Sequence, residues 1–133
     1  MDKAAQIKKD NPALVLNLAI NYGARQEITD AVNKLIDSGK KEITQQEISD
    51  ALYNNLPEPD LIVRTSGEQR LSNFLLWQAA YSEFYFTPVL WPDFKEEPFI
   101  QAVEGYGRPQ RRFGGARIFP AGFLPKHLIF SHF

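Results

Sequence analysis

The chain has 133 residues, 44% hydrophobic and 23% charged, a composition typical of one small globular domain. Its 15 basic and 16 acidic residues give a formal net charge of −1, which argues against general nucleic-acid binding. Cysteine is absent, which excludes disulfides and thiolate metal sites, and no apolar run reaches the roughly 18 residues of a membrane span. We therefore expect a cytoplasmic protein.

The first half of the chain predicts one strand and two helices. The continuous apolar run at 14–20 is typical of a buried strand in a parallel sheet. Apolar residues then recur at helical spacing over 24–37. Thr44 and Glu47 form a capping-box pattern, which predicts a second helix ending near Asn54.

The second half continues the alternation of strands and helices. We predict strands at 61–63 and 85–90, helices at 73–80 and 95–106, and a polar loop at 65–72. This order indicates an α/β fold, with a parallel sheet flanked by helices. Three strands that are buried on both faces need more cover than these helices provide, so we expect an incomplete domain.

The segment 60–73 carries the strongest chemical signal. Arg64 directly follows the predicted strand 61–63, and Arg70 and Ser72 follow in the loop before the predicted helix. Ligands of α/β sheets bind at the carboxyl ends of strands, and guanidinium groups bind phosphate oxygens. The pattern predicts a phosphate or diphosphate site. The alternative is structural, with Ser72 capping the helix and Arg64 pairing with Glu68.

Two further residues are candidates for ligand binding. Arg25 lies in the first turn of a predicted helix, where a cation is unfavourable without a partner. Such a partner is either a ligand or a carboxylate such as Glu27 or Asp30. Glu83 lies just before a predicted strand, where its carboxylate is a candidate Mg²⁺ ligand, although a residue in such a position is more often a simple surface residue.

Five stretches together resemble the cis-prenyltransferases, a family that includes bacterial undecaprenyl diphosphate synthase. They are DLIVRTSGEQRLSNFLLWQ from 60, AYSEFYF from 80, LWPDF from 90, LNLAINYGARQEI from 16 and RPQRRFGG from 108. The resemblance covers about 14–115, and its motifs are long and correctly spaced. We therefore divide the chain into family-like residues 1–115 and an atypical apolar tail at 116–133, which is either an extension covering apolar surface or a shifted reading frame.

The resemblance implies a prenyl transferase that condenses isopentenyl diphosphate onto an allylic diphosphate, usually farnesyl diphosphate. The product is a polyprenyl diphosphate such as undecaprenyl diphosphate, which partitions to the membrane, and the enzyme is expected to work at or near its surface. Mg²⁺ assists departure of the allylic diphosphate, and the family implies a homodimer. The residues that match its substrate-binding and metal-binding positions are Arg64, Arg70 and Ser72 for substrate, Glu83 for Mg²⁺, and Arg112 and Gly114 for the element that reaches the partner subunit's site. We add Arg25 to the substrate-binding candidates because of its place in the first turn of a helix.

The sequence departs from the family in one major way. The Asp-Gly-Asn-Gly-Arg-type motif, which supplies the catalytic Asp and binds the allylic diphosphate, does not occur in these 133 residues. We therefore assign no catalytic residue within the sequence. The alternatives to an enzyme are a non-catalytic partner subunit and an inactive fragment of this family. Gln69 stands where some members have His, and Ala24 where many have a second Gly.

Overall fold

A computed structural model describes residues 15–106 and 127–131 of the chain. Its centre is a sheet of three parallel strands in the order β2–β1–β3. The strands are β1 at Leu61–Arg64, β2 at Glu83–Phe86 and β3 at Leu128–Ser131. Helices accompany the sheet, so the α/β class with a parallel sheet and flanking helices is confirmed.

Three helices have the positions that the sequence pattern predicted. They are α1 at Ala24–Asp37, α2 at Gln45–Ala51 and α3 at Glu96–Gly105, with a single 3₁₀ turn at Trp91–Asp93 before α3. The capping box is formed, because the Thr44 hydroxyl accepts from the Glu47 amide while the Glu47 carboxylate accepts from the Thr44 amide.

The two faces of β1 are buried against different parts of the chain. Leu61 and Val63 pack with Ala102 of α3 and with Tyr106, which follows that helix. Ile62 points to the other face and packs with Phe74, Leu75 and Ala79. Alternating side chains point to opposite faces of a strand, so Arg64 lies on the same face as Ile62.

The predicted strand at 14–20 is wrong over the residues that the structure describes. Residues 15–20 adopt no regular secondary structure and are exposed, with Leu16 at 75%. The third strand comes instead from the tail, where sequence analysis predicted none. β3 occupies the second edge of β1, so both edges of the central strand are already paired. Asp60 holds the start of β3, because its amide donates to the His127 carbonyl at 2.8 Å.

The predicted helix at 73–80 is also wrong. This segment is a series of turns, because Asn73 and Leu75 have φ values of 62° and 47°, whereas a right-handed helix needs negative φ. The segment still covers the sheet, and the Trp77 indole donates to the Ser49 hydroxyl of α2 at 2.9 Å. The strand predicted at 85–90 lies earlier in the chain, as β2.

Within the described ranges, no helix combines the length and the apolar character needed to cross a bilayer.

Candidate functional site

The polar loop that follows β1 folds back over the end of β2. Ser66 and Gly67 turn the chain at φ values of 69° and 71°, a region that suits glycine and is uncommon for other residues. The Ser66 amide donates to the Val89 carbonyl and the Gly67 amide to the Thr87 carbonyl, both at 2.9 Å. These bonds anchor the loop at the carboxyl ends of two parallel strands, the edge at which α/β sheets bind ligands.

Arg64, the last residue of β1, is buried, with 3% of its surface exposed. Its Nη1 donates to the hydroxyl of Ser131 in β3 at 2.9 Å, and the two residues are direct partners in the parallel register. A guanidinium keeps its proton even when it is buried. Arg64 therefore brings a fixed positive charge to this edge of the sheet.

Arg70 and Ser72 lie further along the loop and are exposed. Arg70 forms an ion pair with Glu68 at 2.6 Å, while 68% of its side-chain surface stays exposed. Glu68 was considered as a partner for Arg64, and the structure places it against Arg70. Exposed ion pairs contribute only about 0–1 kcal/mol, so an incoming anion can displace Glu68 at little cost.

Backbone strain is concentrated in the same loop. Among the described residues, five non-glycine residues have positive φ, and the four of them in this region lie between 47° and 69°: Ser66, Ser72, Asn73 and Leu75. This conformation costs an ordinary L-residue about 1–2 kcal/mol. Such strain persists only where the surroundings impose it, and it clusters at ligand sites.

Asn73 connects this loop to the start of α1. Its main-chain carbonyl accepts from the Ala24 amide at 2.8 Å, and its side-chain Oδ1 accepts from the Arg25 amide at 2.9 Å. The residue before α1 is Gly23, which has no side chain with which to cap the helix. Sequence analysis missed this role; the glycine at the N-cap was the available signal that the cap comes from elsewhere.

Arg25 is thereby brought close to the Ser72 end of the loop. Its side chain is exposed, and within residues 15–106 and 127–131 it has no ion pair. Asp30, one of its candidate partners, accepts from Gln26 at 2.8 Å and also from the Tyr53 hydroxyl, which lowers the Asp30 pKa. The guanidinium group of Arg25, in the first turn of α1, is therefore available to a ligand.

Glu27, the other candidate partner of Arg25, is fully buried at 0% exposure. Its carboxylate accepts from the Tyr22 hydroxyl at 2.5 Å, from Gln78 Nε2 at 3.0 Å and from the Tyr53 amide at 3.0 Å. Burial raises the pKa of the Tyr22 hydroxyl, and its hydrogen bond to Glu27 raises it further. Glu27 of α1 thus holds together three parts of the fold. Through Tyr53 it is joined to the residues that follow α2, and through Gln78 to the segment 73–80, which covers the sheet.

Glu83 opens β2 and is half-buried, and it lies opposite Leu61 in the register. Arg64 is three residues further along β1, about 10 Å at the usual rise of a strand. The two residues therefore lie at opposite ends of the strand pair. Arg64 thus lies at the carboxyl end of β1, Arg70 and Ser72 follow it in the loop, and Asn73 ties Arg25 to that loop. Glu83 lies towards the amino ends of the strands.

The described residues contain no group of three or more His, Asp or Glu side chains that converges on one point. Mg²⁺ is commonly bound through one or two carboxylates, with substrate phosphates and waters as its other ligands. The single carboxylate of Glu83 suits Mg²⁺ when a diphosphate supplies further oxygens. Arg112 and Gly114 lie outside the described residues.

The loop at the carboxyl end of β1, together with the start of α1, has the chemistry of an anion site. It combines the guanidinium groups of Arg64, Arg70 and Arg25 with the hydroxyl of Ser72, donors that match phosphate oxygens. The helix N-terminus expected after Ser72 is absent, and the first amides of α1 are used by Asn73. Binding of a phosphate group would therefore depend on side chains more than on helix amides.

Comparison with known proteins gives a consistent result. Residues 1–114 match the family model described as putative undecaprenyl diphosphate synthase. The isoprenyl transferase of Fusobacterium nucleatum is 54% identical over 117 residues, covering 88% of this chain and 51% of that protein. The isoprenyl transferase of Rickettsia bellii is 50% identical over 115 residues, covering 86% of this chain and 51% of the relative. The chain thus spans about half the length of these relatives.

Two solved structures resemble the fold. A probable undecaprenyl diphosphate synthase from Campylobacter jejuni superposes with a TM-score of 0.69 at 38% identity, covering 78% of this chain and 49% of that one. Lavandulyl diphosphate synthase from Lavandula x intermedia, in complex with dimethylallyl diphosphate, gives 0.66 at 39% identity, covering 72% and 44%.

Proposed function

We propose, because the chain belongs to the prenyltransferase family of the undecaprenyl diphosphate synthases, that its loop after β1 binds isopentenyl diphosphate. In the whole enzyme, this substrate would be condensed onto an allylic diphosphate such as farnesyl diphosphate. The product would be a polyprenyl diphosphate, for example undecaprenyl diphosphate. The observation that carries the proposal is that Arg64 ends β1, Arg70 and Ser72 lie in the loop that follows it, and Asn73 ties the backbone of Arg25 to the same loop.

Each residue of the site would have a separate task. Arg64 is fixed in the sheet by Ser131 and would hold one end of the diphosphate in a constant position. Arg70 is exposed and would exchange Glu68 for the ligand, closing the loop over it. Ser72 would donate its hydroxyl to a phosphate oxygen. Because the arginine charges are already in position before the substrate arrives, less free energy is needed to bind it and to orient its double bond.

Glu83 is the residue that we propose as a Mg²⁺ ligand. When bound, Mg²⁺ would neutralise charge on the diphosphate groups in the site, including that of the departing allylic substrate. The half-buried position of Glu83 at the start of β2 would shield its carboxylate in part from bulk water.

The allylic half of the site would come from residues beyond this sequence, since no Asp-Gly-Asn-Gly-Arg-type motif occurs in it. Arg112 and Gly114 would contribute to the site of the partner subunit in a homodimer. We place the enzyme in the cytoplasm, at the membrane surface that receives its product. A non-catalytic partner subunit is the second candidate, and the same missing motif favours it.

Calorimetric titration of the chain with isopentenyl diphosphate and Mg²⁺ tests the proposal. Arg70→Ala should weaken binding about tenfold or more, because a charged partner of the diphosphate is lost. Lys34→Ala, which removes an exposed cation from the last turn of α1, is the matched control and should leave binding unchanged. Equal affinities for Arg70→Ala and the unsubstituted chain would show that the loop is not the binding site.

A turnover assay separates the two candidate functions. With farnesyl diphosphate, labelled isopentenyl diphosphate and Mg²⁺, we expect the chain alone to form little or no long-chain product. Robust turnover would mean that the Asp motif is not required. Product formation after addition of a family N-terminal half that carries that motif and is inactive by itself would favour the enzyme. Binding with no turnover in either mixture would favour the partner subunit.

A further inference from the structure

Asn73 joins the two chain segments that carry the proposed substrate-binding residues. It follows Ser72 in the loop after β1, and it is 48 residues from Arg25. Its main-chain carbonyl accepts from the Ala24 amide, and its side-chain Oδ1 accepts from the Arg25 amide, at 2.8 and 2.9 Å. One residue thus sets the distance between the loop and the first turn of α1.

The first turn of α1 depends on these acceptors. The first amides of a helix have no partner within the helix, and a side chain at the N-cap usually accepts from one of them. Gly23 occupies the N-cap of α1 and has no side chain to offer. Asn73 supplies the missing acceptors from a distant part of the chain, so the position of Arg25 depends on the loop.

The contact is tight enough to restrict both residues. A Cβ atom on Gly23 would lie 2.9 Å from Asn73 Nδ2, closer than such atoms normally approach. Asn73 has a φ of 62°, which Asn and Asp adopt more readily than other residues with side chains. Aspartate would keep the acceptor but would add a negative charge beside a diphosphate. Asparagine is the neutral residue that meets both requirements.

We infer that Asn73 is a positioning residue for substrate binding, which fixes Arg25 relative to Arg64, Arg70 and Ser72. The inference rests on the proposed function, because it takes isopentenyl diphosphate as the ligand of these residues. Asn73 acts through the backbone of Arg25 and needs no contact with the ligand. Loss of the Asn73 side chain should therefore weaken substrate binding only when the Arg25 side chain is present.

A double-mutant cycle on the full chain tests this dependence. Asn73→Gly keeps the main-chain carbonyl and tolerates positive φ, but it removes the side-chain acceptor. We expect it to weaken isopentenyl diphosphate binding about fivefold, and to accelerate hydrogen exchange of the Arg25 amide, because one hydrogen bond is lost. In an Arg25→Ala background the same substitution should change affinity less than about twofold. Asn33→Ala, on the exposed side of α1, is the control and should change neither quantity.

Gly23→Ala gives a second test from the other side of the contact. Its Cβ displaces the Asn73 amide while Asn73 stays in place, so both measurements should change in the same direction as for Asn73→Gly. It replaces Asn73→Gly if that variant does not fold. Equal losses with and without the Arg25 side chain, or unchanged affinity in Asn73→Gly and Gly23→Ala, would overturn the inference alone. No binding by the unsubstituted chain would overturn the proposed function and the inference together, even if the Arg25 amide is protected.

Discussion

Arg64 and Ser131 are direct partners in the parallel ladder between β1 and β3, and the Arg64 Nη1 donates to the Ser131 hydroxyl at 2.9 Å. Both residues are buried, at 3% and 4% exposure. A residue from the tail thus orients the first arginine of the candidate site. The tail supplies part of the sheet and also a hydrogen bond to a residue of the proposed site.

Ser131→Ala should destabilise the chain by about 2 kcal/mol, because it removes an acceptor from a buried charged donor. The free energy of unfolding, measured by urea denaturation, checks this. Ser38→Ala, at the exposed end of α1, is the matched control and should cost less than about 0.5 kcal/mol. Equal stability of the two variants would mean that the bond between Arg64 and Ser131 contributes nothing.

Glu27→Ala should cost about 3 kcal/mol or more, because it leaves the donors of Tyr22, Gln78 and Tyr53 without their acceptor in a buried place. Glu27→Gln keeps one acceptor oxygen and should cost less. Urea denaturation followed by circular dichroism compares them, with the exposed Glu42→Ala as control. A loss below about 1 kcal/mol for Glu27→Ala would contradict the role of Glu27 in joining these segments.

The capping box of α2 should make stability depend on acid pH. The hydrogen bond from Lys40, followed by those from Thr44, lowers the pKa of Glu47 from 4.5 to about 2. The carboxylate therefore contributes stability that is fully present above pH 4.5 and is lost as pH falls through 2. Comparison of the chain with Glu47→Gln should show a difference at pH 6 that shrinks below pH 4. A difference that stays constant over this range would contradict the ionised capping role.

Glu83→Gln should reduce the effect of Mg²⁺ on binding of isopentenyl diphosphate. The gain in affinity from added Mg²⁺ should fall about tenfold or more, since a neutral amide is a poor ligand for this ion. Titrations with and without Mg²⁺ measure the gain, and Glu58→Gln, an exposed residue outside the strands, is the control. An unchanged Mg²⁺ effect in Glu83→Gln would show that another group holds the ion.

Local signals were sufficient to predict part of this fold. The capping box at Thr44 and Glu47 needs only residues three apart, and the apolar spacing of α1 lies within one helix. Arg64 was correctly placed at the end of a buried strand, because the change from apolar to polar residues is abrupt there. Each of these features is set by neighbours in the sequence.

The features that sequence analysis missed depend on distant partners. The predicted helix at 73–80 is replaced by turns, in which Asn73 caps a helix 48 residues away. The run at 14–20 has the apolar character of a strand, yet β3 from the tail pairs with β1. A segment becomes a strand only where a neighbouring strand has an unpaired edge, and both edges of β1 are taken by β2 and β3. Which segments pair with β1 cannot be obtained from the hydrophobic pattern alone.

The most direct test of the candidate site is an NMR titration of the isotope-labelled chain with isopentenyl diphosphate. If the loop after β1 binds the diphosphate, the largest amide shift changes should fall at residues 64–73 and at Arg25, and Arg70→Ala should reduce them strongly at the same subsaturating ligand concentration. Shift changes centred on α3 or α2, or changes in the loop that are undiminished in Arg70→Ala, would contradict the account.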